Sequence, residues 1–519
     1  VVLEGCEAVV TVTHASIEVL RHSGLKKVRC AYGVLCGRIQ DNIFFYNNSL
    51  SVVHRALAER LYFVKSTDGF VPCPQPTISF SSLAYFTRDA VRKLPSLPPV
   101  WSSERFAASY TGSKKKRYEQ AIISLARRGV RRSYGFWKTF IKAELYNATN
   151  KENPCPRLIQ PRSPEYNVLI GRYLRPAEKL IYKAIDRVFK HHVVLKCDNP
   201  WQRASAILRY WSEFDEPCFV GLDASRFDQH VSAEALEYEH SLYNSIFSCP
   251  ELAEYLTWQI NNKGYANVPD GTIKYSVRGV RGSGDMNTAL GNVYLMCSIT
   301  HHFLRDLPCK WRFINDGDDC GIFLEKRDLH LLEGLPAHHL SYGFEMEVEE
   351  AVFQIEHVEF CQSKPINLGG GWMMVRNIRK ALLNDWVNLN APNYATLEEL
   401  FVATGRCGLA LYADVPILSE MYEAMTRFSG RSHVVDRILS ECFSGIGRTW
   451  RMFASQNRKF PVDEMTARVS IYKAFSILPD TQICLEKEFR ALNPQALSSK
   501  QIHSFYSDPH SRIQYYLNG

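Results

Sequence analysis

Several features are missing from this chain of 519 residues. No uninterrupted apolar run reaches the roughly 18 residues that a membrane span requires, which excludes a spanning-helix reading. Fifteen cysteines are present, yet none forms a Cys-x-x-Cys pair and no His-x-His or zinc-finger spacing occurs. Structural zinc is therefore not expected, and an odd, scattered set suggests reduced thiols in a cytosolic setting rather than a disulfide framework. No low-complexity tract points to disorder, and no repeat of fixed period points to a solenoid. The opening Val1-Val2-Leu3-Glu4-Gly5 holds neither a start methionine nor the basic-then-apolar pattern of a signal peptide. The expectation is an engineered fragment, a processed product, or the downstream part of a longer translation product.

What is present is ordinary globular material: 46% hydrophobic, 22% charged, formal net charge +8. The length allows two to four domain-sized units. Residues 1 to about 110 are the least informative. They mix short β-like runs (Val28 to Leu35, Ile43 to Tyr46) with a helix-like stretch around Ser51 to Val64. A connector then follows through Pro72, Pro74, Pro76, Pro95, Pro98 and Pro99.

Charge is concentrated next. Between Lys114 and Lys142 stand Lys114, Lys115, Lys116, Arg117, Arg127, Arg128, Arg131, Arg132, Lys138 and Lys142, against the single acid Glu119. A solvated helix face normally mixes signs, with acids four residues from bases. Here those acids are missing, and Tyr110, Tyr118, Tyr134, Phe136 and Trp137 lie among or beside the cations. The pattern suits a phosphate backbone with stackable bases. Phe140 to Glu144 and Pro156 to Arg162 then read as strands with isolated cations, Lys142, Arg157 and Arg162. Such cations can hold a triphosphate, or simply decorate a strand surface.

Three stretches carry acids or small polar groups in telling places. Cys218 to Asp223 is a buried-type strand ending in an acid, with Asp228 five residues on and a helix capped at Ser232, Glu234 in its first turn. Arg281 to Asn292 is a small-residue loop running into a helix, on which Thr288 and Asn292, four apart, share a face. Phe313 to Phe323 reads as a β-hairpin, Gly317 supplying the positive φ of its turn. Its adjacent Asp318 and Asp319 repel, so a cation is expected beside them, and Mg²⁺ suits hard oxygen ligands on a short turn. The alternative is an acid-rich solvated hairpin.

Further on, a helix is expected from near Arg327, breaking at Gly334 and Pro336. Phe344 to Glu349 alternates as a half-exposed strand, and His357 to Gln362 reads as another. Gly369-Gly370-Gly371 is expected to be a hairpin loop. From about 380 the amphipathic stretches Leu397 to Thr404 and Ile417 to Phe428 indicate a helical end domain.

In order, Asp-x4-Asp after a strand, Ser-Gly-x3-Thr-x3-Asn, and Gly-Asp-Asp resemble motifs A, B and C of viral RNA-dependent RNA polymerases. The likeness is to the tombusvirus family and its relatives. It rests on Gly221 to Val231, Gly284 to Asn292 and Phe360-Cys361-Gln362. Upstream, Leu158 to Pro164, Tyr166-Asn167-Val168 and Gly171 to Leu174 look like motif F, and Ala108 to Gly112 also fits.

The resemblance implies an α+β right-hand polymerase. Residues 1–215 would form an N-terminal region and fingers, 216–365 a palm with a finger insertion at about 250–275, and 366–519 a helical thumb. It implies template-directed RNA synthesis on a positive-strand viral genome. Asp223, Asp318 and Asp319 would hold two Mg²⁺ ions, with Mn²⁺ able to substitute. Asp228, Ser283, Thr288 and Asn292 would recognise the ribose, Lys142, Arg157 and Arg162 the triphosphate, and Gly284 would act as a loop hinge. Implied partners are template and nascent RNA, ribonucleoside triphosphates, a membrane-anchored viral auxiliary protein and host factors. This part is expected to be soluble by itself and to reach membrane-associated replication complexes in the host cytoplasm through an upstream region or partner.

One departure stands out: no lysine lies between Lys326 and Lys364, where related enzymes often carry a motif D lysine. His338 and His339 are conceivable substitutes but are expected at the surface. Three rivals remain. A reverse transcriptase would place an aromatic gate where Asp228 stands. A metal-dependent nuclease has no reason for the Thr288-x3-Asn292 helix. A non-catalytic RNA-binding replication protein leaves the acid set unexplained.

Overall fold

Four antiparallel strands form the sheet on which the motifs converge, in the order Trp311–Asp316, Asp319–Glu325, Pro217–Ala224, Met346–Val348. The computed structural model describes residues 2–24, 28–33, 43–147, 153–389, 391, 394–441 and 460–494. Both faces of the sheet are covered, which is why Pro217–Ala224 reads as an almost unbroken apolar run. Cys218, Val220, Leu222, Phe313, Ile322 and Leu324 enter one large core with the helices Pro164–Phe189, Ala233–Phe247 and Thr288–Leu304. Phe219, Ile314 and Phe323 enter another, with Ile207 and Tyr210 of helix Pro200–Trp211. Burying each such side chain contributes about 1.5–3 kcal/mol, so slipping the strand by one residue would forfeit several at once.

A second four-stranded sheet gathers distant segments: Ile17–Arg21, Gly271–Arg278, Asn261–Val268 and Trp137–Lys138. The sequence region expected to be an insertion is thus a β-hairpin that joins N-terminal strands. Helix Leu50–Leu57 continues as a π-helical turn, Ala58–Tyr62, and packs its apolar face under this sheet. The predicted run Val28 to Leu35 contains the strand Cys30–Gly33, while Val34 and Leu35 lie outside the described residues. After the hairpin Ser363–Asn367 and Trp372–Arg376 the chain is mainly helical: Ile378–Asn384, Tyr394–Tyr412, Leu418–Thr426, Ser432–Glu441, Glu464–Phe475 and Pro479–Ala491. Their apolar faces close on Trp386, Phe401, Met421 and Phe489. The rest of the expected end domain, 442–459 and 495–519, lies outside the described residues.

Several expectations need correction. His357 to Gln362 is not a strand. A short 3-10 turn, Ile355–His357, leads to Cys361 and Gln362, whose φ values of 51° and 57° reverse the chain. Pro336 opens helix Leu335–Ser341 instead of ending one, since the amide hydrogen that proline lacks has no partner to miss in a first turn. His339 is fully buried, its Nε2 3.2 Å from Thr300 Oγ1, and burial pushes its pKa down to about 3. His338 is half-buried against the Ile299 carbonyl, so neither histidine is a surface residue. Among the described residues no disulfide forms, and no helix is long and apolar enough to cross a membrane.

Candidate active site

Asp223 ends its strand directly opposite Asp319, and Asp316 pairs with Asp319 across the two-residue turn Gly317-Asp318. Gly317 has φ +98°, and Asn315 braces the turn by donating to and accepting from it (Nδ2 to Gly317 O, 2.7 Å; Gly317 N to Oδ1, 3.0 Å). The strand pairing therefore brings Asp223, Asp318 and Asp319 to one end of the sheet, as the motifs imply. All three are open at the sheet end. Burial of its surroundings, then the charges of Asp318, Asp316 and Asp223, raise the Asp319 carboxyl to about 6. No group of three His, Cys, Asp or Glu side chains among the described residues converges closely enough to hold a metal as placed. The donors nonetheless fit one chemically, being hard carboxylate oxygens that repel one another.

Asp316 is the exception. Lys196 Nζ lies 2.6 Å from its Oδ1, and Arg203 binds its other oxygen. Neither cation was legible in the motifs, since each stands more than a hundred residues away in the chain. Lys196 is delivered by the segment after helix Pro164–Phe189. There His192 bridges Asp186 (2.8 Å) and Asp198 (2.7 Å), and the two carboxylates push its pKa up to about 10. Asn315 N then bonds Val193 O, clamping this segment to the hairpin.

Beside the acids, Asn292 Nδ2 donates to Asp228 Oδ1 at 3.1 Å and the Ser283 hydroxyl also bonds this carboxylate. Burial holds the Asp228 pKa above its usual range despite these bonds, and the charge of Asp318 adds to the rise. Three of the four residues expected at the ribose are thus joined. Thr288 is not: its hydroxyl donates to the Gly282 carbonyl at 2.8 Å and staples the loop. Gly284, at φ +137°, lies against the Gln160–Pro161 backbone, and Gln160 N donates to Ser283 O at 2.9 Å.

The three expected triphosphate cations separate. Lys142 and Arg157 sit on neighbouring strand ends, their backbones bonded, and both approach Glu144 (2.8 and 3.3 Å). Arg162 is elsewhere. Its side chain is 1% exposed, paired with Asp285 at 2.7 Å and bonded to Asn262 and to the Gly135 carbonyl. It is committed to the interior, where Trp137 Nε1 also binds Asp285. Asp285 lies within the Gly284 to Asn292 motif, but nothing in its spacing marks it as the partner of a distant arginine.

The basic stretch folds as helix Gly112–Arg128 and the turn after it. Lys115, Lys116, Arg117, Arg127, Arg128, Arg131 and Arg132 are exposed. Lys114 is half-buried over the Tyr110 ring at 4.6 Å. The expectation of interleaved stacking rings needs correction at three of its five positions: Tyr110, Tyr118 and Trp137 are buried in cores and offer no ring to a base, while Tyr134 and Phe136 are half-buried.

A sequence model of the family described as viral RNA dependent RNA polymerase matches residues 18–496. The RNA-directed RNA polymerase of Turnip crinkle virus is 39% identical over 447 residues, 86% of this chain and 57% of that protein. That of Tobacco necrosis virus (strain D) is 36% identical over 465 residues, 88% and 63%. That of Cymbidium ringspot virus is 39% identical over 453 residues, 86% and 54%. The chain thus spans less than two thirds of the length of these curated relatives. A family match over most of the chain, with relatives at this identity, means that the chain belongs to the viral RNA-dependent RNA polymerases.

Proposed function

We propose that the chain carries out template-directed RNA synthesis from an RNA template, replicating a positive-strand viral genome. The observation that carries this reading is the junction of Asp223 and Asp319 across paired strands, with the Asn292–Asp228 bond alongside. Asp223 and Asp318, assisted by Asp319, are the residues that would hold divalent ions. Two Mg²⁺ ions, replaceable by Mn²⁺, would lower the pKa of the nascent strand's 3′-hydroxyl and stabilise the leaving pyrophosphate. Asp228, with donors from Asn292 and Ser283, accepts the ribose 2′-hydroxyl, so a deoxynucleotide leaves a buried polar group unpaired. Lys142 and Arg157 take the triphosphate, which competes with Glu144 for them. The exposed cations of helix Gly112–Arg128 and its turn track the RNA backbone, and Gly284 lets its loop move between cycles.

The right-hand layout follows as part of the proposal: fingers in 1–215 with the 250–275 insertion, palm in 216–365, thumb in 366–519. The pairing of hairpin Asn261–Arg278 with Ile17–Arg21 and Trp137–Lys138 supports the assignment of the insertion to the fingers. A membrane-anchored viral partner and host factors complete the reading.

The test is labelled-nucleotide incorporation on a short RNA template with Mg²⁺ or Mn²⁺, comparing the chain with Asp318→Ala. Ribonucleotide incorporation abolished in the variant supports the reading. Equal activity in both, or preference for deoxyribonucleotides, sinks it.

A further inference from the structure

Four polar groups lie in series beneath the candidate nucleotide site. Glu239, on helix Ala233–Phe247, and Arg281, in the loop before Ser283, form an ion pair with both side chains fully buried. Glu239 is itself locked by Tyr243 Oη and Asn287 Nδ2, each at 2.7 Å. Arg281 Nε donates to Asn292 Oδ1 at 3.2 Å, and Asn292 Nδ2 donates onward to Asp228 Oδ1 at 3.1 Å.

The order of these groups has a chemical consequence. A guanidinium can only donate and an ionised carboxylate can only accept, while an amide has one end of each kind. An amide placed between them has a single workable orientation. Turning Asn292 over would set its NH₂ against the Arg281 donor and its oxygen against the Asp228 carboxylate.

Stability does not account for the pair. Desolvating two charges offsets most of their attraction, and Arg281 Nη1 is left buried without a partner, which costs further stability. The neighbouring helix is also shaped to it. A Cβ on Gly291 would collide with Arg281 Nη2 and come within 2.5 Å of the Glu239 carboxylate, so that any other residue there would displace the pair.

We propose that Arg281, anchored by Glu239, is a positioning residue for sugar selection: it sets the amide of Asn292 so that Nδ2 faces Asp228 and Asp228 keeps lone pairs for a ribose 2′-hydroxyl. This rests on the ribose-reading role proposed above for Asp228 and Asn292. Arg281 touches no substrate and acts only through the amide.

The test is single-nucleotide incorporation opposite uridine, comparing kcat/KM for ATP and 2′-deoxyATP. Arg281→Lys retains a cation for Glu239 but loses the Nε–H that faces Asn292. The ATP-to-deoxyATP ratio is expected to fall about tenfold or more, through the ATP value, with deoxyATP held within about twofold. In an Asn292→Ala background the same substitution should move the ratio no further, which a general structural role would not predict. A ratio within about twofold of the parent, or an equal loss for both nucleotides, overturns the proposal. If Arg281→Lys does not fold, Gly291→Ala shifts the pair without changing its charges and is held to the same outcomes. Asp228→Ala separates the two levels. An unchanged ratio there defeats the ribose-reading role itself; a collapsed ratio there, with Arg281→Lys unmoved, defeats only the positioning role.

Discussion

Asp316 and Asp319 face one another across a single two-residue turn, yet one is neutralised and the other is not. Lys196 and Arg203 both bind Asp316, whereas the charged neighbours that act on Asp319 are other carboxylates. The hairpin thus separates an acid that holds the turn in place from acids left to meet a cation.

That asymmetry predicts a linked response to pH and divalent ions. Asp319 titrates near 6 in the folded chain against 3.8 as the ordinary value. Between about 4 and about 6 the folded state binds the extra proton, so metal-free stability falls as pH rises through that window and then levels off. Thermal unfolding in chelator should show this fall, and Asp319→Asn should flatten it. Added Mg²⁺ should raise Tm more at neutral pH than at the acidic end. A pH-independent Mg²⁺ effect would argue against binding at these acids.

His192 should also destabilise the chain as pH rises, but over a separate, alkaline window. Its folded pKa is raised to about 10 by Asp186 and Asp198. Its contribution is fully present below about 6.5 and is lost as pH climbs toward 10. The wild-type chain should therefore lose Tm over that alkaline range more steeply than His192→Gln. The same variant should loosen Lys196 from Asp316, lowering incorporation at neutral pH while leaving RNA affinity unchanged.

The Arg162–Asp285 pair gives a stability prediction with a built-in contrast. Asp285→Ala leaves a buried guanidinium without its carboxylate and should cost about 3–5 kcal/mol in urea unfolding. The double change Arg162→Met with Asp285→Ala should cost clearly less. If the single variant is as stable as the parent, the cation reaches solvent or another acid.

For RNA, Lys115, Lys116 and Arg117 are exposed on one helix. Changing all three to glutamate should weaken template binding and flatten the dependence of log Kd on log salt. The expected change in slope is about 0.7 for each phosphate no longer neutralised, or about 2 for three. An unaltered slope would place the RNA path elsewhere.

What could be read from the chain alone was whatever depends on neighbours in sequence. The Asp318-Asp319 hairpin was legible because Gly317 and two apolar arms specify it locally, and so were the Ser232 cap and the triple-glycine loop. The Asp223-x4-Asp228 and Thr288-x3-Asn292 spacings were legible for the same reason, since strand and helix geometry set where those side chains point. Tertiary structure alone decided what faces them. A cation within an apolar run looks the same whether it stays half in solvent beside a nearby acid, as Arg157 does with Glu144, or meets a buried acid 123 residues away, as Arg162 does. An aromatic beside lysines looks the same whether it stacks a base or, like Tyr118, fills a core. His357 to Gln362 had the alternation of a strand but sits where the chain must reverse. Periodicity reports which face a residue occupies. Only the packed structure supplies the partner on the other side, and the partner sets whether a charge is free to act or spent on holding the fold.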